Sequence, residues 1–162
     1  MLSWLTETLA VGGRFPVEQV AELAGPLGMR AIVDLRAECC DDVALLSSHG
    51  LAFLHLPTPD LEPVSPAMLL EGVAFATGHL ARGERVLIHC EYGIGRSALL
   101  ALCILVDRGL PPFDALRLAK RRRSIISPNA VQYRAWAQWL DRRGERAPDF
   151  DTFAAIAYAR AV

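Results

Sequence analysis

Between Val86 and Val106 the chain passes from a short apolar run, Val86-Leu87-Ile88-His89, through a loop holding Gly93 and Gly95, into a stretch with almost no polar side chain, Ala98 to Val106. A helix that is apolar all round must be buried on most sides. A nearly continuous apolar strand just ahead of it is the kind buried on both faces of a parallel sheet. Together the two segments demand a sheet covered by helices, with a tight loop at the carboxyl end of one strand.

The rest of the chain agrees. A segment rich in Leu, Val and Trp ends at Gly12-Gly13, and Pro16 then opens a helical pattern with Val17, Val20, Leu23 and Ala24 on one face, predicting strand, turn, helix. Gly28 closes that helix, and Ala31 to Leu35 reads as a second buried strand. A short helix around Val43 to Ser48 ends at Gly50, and the strand Leu51 to Leu56 runs into the loop Pro57 to Pro63, which holds three prolines. Ser65 as N-cap and Pro66 at the first helical position start a helix reaching Arg82-Gly83. Helices are predicted over Pro112–Arg122, Pro128–Arg142 and Asp149–Ala161. The expected fold class is α/β: one three-layer domain over residues 1–162, with a mainly parallel central sheet flanked by helices.

At 162 residues, a chain of this size buries enough surface to hold together without disulfides or structural metal. Its 17 basic and 18 acidic residues leave a net charge of −1, which argues against nucleic-acid or membrane partners gripped by bulk charge. No apolar run approaches the roughly 20 residues a membrane helix needs. The start Met1-Leu2-Ser3-Trp4, with Glu7 close behind, lacks the form of a secretory signal, so a cytoplasmic location is expected. Cys39, Cys40, Cys90 and Cys103 show no zinc spacing and are expected as thiols; no metal and no cofactor is called for.

Ligands of open α/β sheets bind beyond the carboxyl ends of the strands, and the loop Cys90 to Ser97 sits at such an end and leads into a helix N-terminus. Its glycines permit a curl in which successive backbone N–H groups point inward at an anion. Arg96 can add a two-pronged clamp. The same dipoles and charge favour the thiolate of Cys90, giving a nucleophile at neutral pH beside a bound phosphate.

The run His89-Cys90-Glu91-Tyr92-Gly93-Ile94-Gly95-Arg96-Ser97 resembles the H-C-x5-R-[ST] signature of the cysteine-dependent protein tyrosine phosphatase superfamily, and the short chain resembles its dual-specificity branch. Val33-Asp34-Leu35-Arg36, the loop Pro57 to Pro63 and Ser127-Pro128-Asn129 extend the likeness; Ala98 replaces the family's usual glycine. The resemblance implies that Cys90 attacks phosphorus, that Arg96 and the amides of Glu91, Tyr92, Gly93, Ile94 and Gly95 hold the phosphoryl oxygens, and that Ser97 helps the sulfur leave. It implies that His89 buttresses the loop and that Asp60 is the general acid, with Glu62 the competitor on the same loop. Asn129 and Gln132 would stand beside the site, with Gln132 orienting the hydrolytic water; the plain alternative is a solvated helix start.

The implied activity is hydrolysis of phosphotyrosine, and of phosphoserine or phosphothreonine, in proteins or peptides, through a phosphocysteine intermediate. Phosphate, sulfate and vanadate should enter the loop. A negative Glu91 in the loop argues against highly charged substrates such as phosphoinositides, which stand as an alternative beside a non-catalytic phosphate-binding module and a rhodanese-like sulfur-transfer domain. The run Lys120-Arg121-Arg122-Arg123 is a second anion site or, more simply, solvated charge. Cys39 and Cys40 follow a strand end, from which one could approach Cys90 and form a disulfide on oxidation; the plainer reading is that they are buried inert thiols, as Cys103 is inside an apolar helix.

Overall fold

The computed structural model describes residues 1–160. Five strands, β1 (Leu2–Trp4), β2 (Leu9–Gly12), β3 (Met29–Arg36), β4 (Ala52–Thr58) and β5 (Arg85–His89), form one sheet in the order β1-β2-β5-β3-β4. All neighbours are parallel except the β1–β2 pair. The helices are α1 (Val20–Ala24), α2 (Val43–Ser48), α3 (Pro66–Ala81), α4 (Arg96–Asp107), α5 (Pro112–Arg122), α6 (Ala130–Arg142) and α7 (Phe150–Ala157). None is long and apolar enough to cross a membrane.

Side-chain alternation along the strands sorts the core into two layers. Leu9, Val11, Val33 and Ile88 face α3 to α7, and Ala10, Ile32 and Leu87 face the smaller cover made with Val20, Leu23 and Leu46 of α1 and α2. The α4 helix lies inside the larger layer, with every residue from Arg96 to Val106 buried. Its position places the loop from β5 to α4 at the centre of the sheet's carboxyl edge.

Three segments differ from the sequence reading. The helical pattern opened by Pro16 begins as a 3₁₀ turn, Val17–Gln19, ahead of the short α1, and Val17 is exposed rather than on a buried face. The N-terminal segment is not one strand but an antiparallel pair. Thr6 Oγ1 accepts from the amides of Thr8 and Leu9 (3.2 and 3.0 Å) and turns the chain between β1 and β2, a local bond that competes with a continuous strand. Pro57 and Thr58 belong to β4 rather than to the following loop, because Thr58 pairs with Arg36 and Pro57, on an edge strand, can do without its N–H. The N-caps Ser65 and Asp149 accept from Met68 and Thr152 as their positions imply. The last helix closes at Ala157, and its expected end at Ala161 lies outside the described residues.

Candidate active site

The loop that leaves β5 curls back on its own first residue. Cys90 is buried (3% exposed), with the Gly93 N–H 3.3 Å and the Ser97 Oγ 3.2 Å from its sulfur. The curl requires glycine at two points. Gly93 adopts φ +69°, and a Cβ there would stand 2.6 Å from the Gly12 carbonyl carbon; at Gly95 a Cβ would stand 2.7 Å from Gln132 Oε1. Both are contacts that real Cβ atoms do not make, so the loop packs against β2 on one side and α6 on the other.

Arg96 begins α4 with its side chain buried. Nη1 donates to Glu38 Oε1 and to the Thr58 carbonyl, each at 2.7 Å, and Nη2 donates to Glu38 Oε2 at 2.9 Å. Asp60 Oδ1 lies 3.4 Å from Nη2. The Arg96 Nε is buried without an acceptor among the described residues, which leaves one charged-group donor for a ligand oxygen. Hydrogen bonding to Arg96 lowers the Glu38 pKa to about 2, so the carboxylate is ionised and fixes the guanidinium plane.

Behind the loop lies a buried ion network. Arg36 donates to both oxygens of Asp34 (3.0 Å each) and to Asp41 (3.0 Å). His89 Nε2 donates to Asp41 Oδ2 at 2.6 Å, and its ring meets Phe15 at 4.9 Å between centroids. Because every charge has a partner, the cost of burying it is recovered in part by geometry. His89 supports the loop's first residue through this network and does not line the cleft. Asp34, Asp41 and His89 lie close enough to suggest a cation site, but Arg36 already supplies the positive charge.

The cleft has a volume of about 230 Å³ and is lined by Cys90, Tyr92, Ile94, Gly95, Arg96, Asp60, Leu61, Asn129 and Gln132, with Ser127. It therefore gathers residues from the cysteine loop, the proline-rich loop and the start of α6. Tyr92 and Leu61 stand exposed at its rim. Glu62 contributes its carbonyl, to Gln132 Nε2 at 3.3 Å, and is not among the lining residues.

Several placements change the picture drawn from sequence. The Glu91 side chain turns away from the cleft, paired with Arg14 and Arg36 at 3.4 Å each, so it is not aimed at a ligand and its charge gives no argument against polyanions. Gln132, which lines the cleft, also caps its own helix through Oε1 and donates through Nε2 to the Glu62 carbonyl, with one N–H of its amide left over. Cys39 and Cys40 are exposed and line a separate cavity of about 640 Å³ with Arg14, Phe15 and Asp42, not the Cys90 cleft. Burial pushes the Cys103 thiol well up, as an inert core residue requires.

The basic run at the end of α5 divides by direction. Lys120 caps the carbonyls of Ile126 and Ala157 (2.9 and 2.6 Å), and Arg121 and Arg122 are exposed. Arg123 turns inward and donates to the carbonyls of Gly93 (2.9 Å) and Tyr92 (3.0 Å), and to Met1 O (3.3 Å) and Ser3 Oγ (3.1 Å). None of the four lines the cleft, so the run is no second anion site there. Arg123 instead braces the cysteine loop, pulling on carbonyls whose following amides belong to Gly93 and Ile94. Arg123→Met should lower the unfolding free energy by about 3 kcal/mol, the cost of orphaning buried acceptors, read as a shift in the urea midpoint.

Glu38 does not stand out in the sequence as a site residue, and Arg123 stands out only as part of a basic run, not as a brace of the cysteine loop. Glu38 carried one usable signal, its place just beyond the carboxyl end of a buried strand, where α/β sheets bind ligands.

A cysteine at the floor of a curled loop, an arginine at the head of the following buried helix, and an aspartate reaching the same arginine meet beyond the carboxyl edge of a mainly parallel sheet. A family model described as "Polymorphic toxin system, DSP-PTPase phosphatase" matches residues 15–110, and the chain belongs to that family, within the dual-specificity branch of the cysteine-dependent protein tyrosine phosphatase superfamily. It is 32% identical over 107 residues to Dual specificity protein phosphatase 2 of Mus musculus, covering 63% of this chain and 31% of that protein. It is 30% identical over 110 residues to Dual specificity protein phosphatase 1 of Homo sapiens, covering 67% and 29%. The matched region thus spans about a third of the length of these curated relatives. Among solved structures, Tk-PTP in its active form superposes with a TM-score of 0.79 at 26% identity, over 87% of this chain and 97% of that one. PTPMT1 in complex with PI(5)P superposes with a TM-score of 0.79 at 23% identity, over 85% and 93%, a likeness of fold.

Proposed function

We propose that this chain hydrolyses phosphotyrosine, and phosphoserine or phosphothreonine, in proteins through a cysteinyl-phosphate intermediate. The observation that carries the reading is the meeting, in one cleft, of the Cys90 sulfur with its two donors, the Arg96 guanidinium and the Asp60 carboxyl. In the first step the Cys90 thiolate attacks phosphorus in line; the S–P bond forms, the P–O bond to the leaving group breaks, and Asp60 gives that oxygen its proton. Arg96 and the loop amides hold the three remaining oxygens, where charge develops. In the second step water attacks phosphorus, the Asp60 carboxylate takes its proton, and the thiolate departs with a hydrogen bond from Ser97.

The test is hydrolysis of p-nitrophenyl phosphate by freshly reduced protein in chelator, scanned from acid to neutral pH. Turnover is expected with p-nitrophenyl phosphate and with phenyl phosphate, and a bell-shaped pH profile with phenyl phosphate, whose leaving group takes its proton from the general acid. No turnover at any pH overturns the reading. A second substrate class, non-protein phosphomonoesters such as phosphoinositides, is favoured by one observation: Glu91 is held away from the cleft by Arg14 and Arg36. Comparing phosphopeptides with phosphoinositide vesicles separates the two.

A further inference from the structure

Delivery of a proton by Asp60 requires the segment from Pro59 to Pro63 to keep its place above the cysteine loop, and neither that segment nor the curl from Cys90 to Gly95 belongs to the sheet or a helix. Both are bonded instead to the start of α6. On the cysteine-loop side, the Ser127 amide donates to Ile94 O at 3.0 Å, and Gln132 packs on Gly95. On the other side, Asn129 Nδ2 donates to Leu61 O at 2.8 Å and Gln132 Nε2 to Glu62 O at 3.3 Å.

The Leu61 contact is the informative one. Leu61 is the only described non-glycine residue with positive φ (+68°), a conformation that Leu rarely adopts, and its side chain is 70% exposed, so burial does not hold it there. Its amide donates to Asp60 Oδ1 at 2.9 Å, and that same oxygen stands 3.4 Å from Arg96 Nη2. The peptide geometry at Leu61 therefore sets where the Asp60 carboxyl points. Asn129 is placed to hold it: its Oδ1 accepts from the Gln132 amide (2.9 Å) as the helix cap, which leaves Nδ2 for the Leu61 carbonyl.

We infer that Asn129 is a positioning residue, latching Leu61 in its left-handed conformation so that Asp60 is aimed at the leaving group; the inference rests on the proposed role of Asp60. One side chain does two separable jobs, cap acceptor and latch donor. Asn129→Asp and Asn129→Ser keep an oxygen for the cap and remove the N–H donor, and agreement between them sets aside the added charge of aspartate.

Two measurements on the whole chain test it. In hydrogen exchange, both variants should speed the Leu61 and Glu62 amides about tenfold or more, with α6 protection kept. In kinetics, kcat/KM on phenyl phosphate, whose leaving group needs a proton, should fall about 10- to 50-fold, against less than about threefold on p-nitrophenyl phosphate, since kcat/KM excludes the later hydrolytic step common to both esters. In an Asp60→Asn background, adding Asn129→Ser should cost phenyl phosphate turnover nothing further. Unchanged exchange at Leu61 and Glu62 overturns the latch. Faster exchange with equal losses on the two esters, or additive losses in the double variant, overturns the aiming of Asp60. A wild type silent on both esters overturns the phosphatase reading itself and Asn129's part in proton transfer with it; the exchange result identifies that case, since it reads the latch without catalysis.

Discussion

Cys90→Ser is expected to lower kcat on p-nitrophenyl phosphate by more than about 10⁴-fold, the scale on which losing a nucleophile acts, and to leave the thermal midpoint nearly unchanged. The oxygen is smaller than sulfur and can take the same two partners, the Gly93 amide and the Ser97 hydroxyl, so no buried group is orphaned. A serine hydroxyl without an adjacent base is a weak nucleophile, and no imidazole serves it, since His89 points at Asp41 on the far side of the loop. Binding should survive: titration with a phosphotyrosine peptide or with inorganic phosphate is expected to give an affinity within a fewfold of wild type. Residual turnover in Cys90→Ser within tenfold of wild type would move the chemistry off this sulfur.

Arg96→Lys is the second large effect, a fall in kcat/KM of about 10³-fold. A lysine keeps the charge but loses the planar group whose Nη1 and Nη2 hold Glu38 and the Thr58 carbonyl while the unpartnered Nε is left for a phosphoryl oxygen. It also reaches Glu38 and the Thr58 carbonyl with one compact head, where arginine meets them from two nitrogens. The change is visible in stability as well as rate. Glu38 has its pKa lowered by Arg96 from 4.5 to about 2, so the unfolded chain binds its proton first. The pair thus stabilises the fold above the ordinary carboxylate range, and that contribution is lost as the pH falls from about 4.5 toward 2. Arg96→Lys should flatten this acid limb in denaturation curves taken between those values, while wild type retains it. An unaltered acid limb would separate Glu38 from Arg96.

Much of this was readable from the chain because it is local. Ser65-Pro66 and Asp149 mark helix starts through bonds spanning three residues, and the buried α4 follows from its unbroken apolar run. Cys90, Arg96 and Ser97 come to one place because a single curl carries them. What escaped the sequence is set by distance along the chain. Glu38 is 58 positions from Arg96, and Arg123 is 30 from Gly93; in each case the partner is known only after the sheet order is known. Glu91 misled for the opposite reason: its neighbours in sequence face the cleft, yet its side chain follows Arg36, 55 residues away.

The two outer strands have a consequence for how the molecule behaves among its own copies. A sheet normally offers unpaired N–H and C=O rows at its margins, on which another chain can add a strand. Here one margin is β1, three residues long, too short to template such growth, and the other is β4, where Pro57 removes one donor from the row. The sheet that carries the cysteine loop is thereby blunted at both ends against strand addition and the aggregation that follows from it.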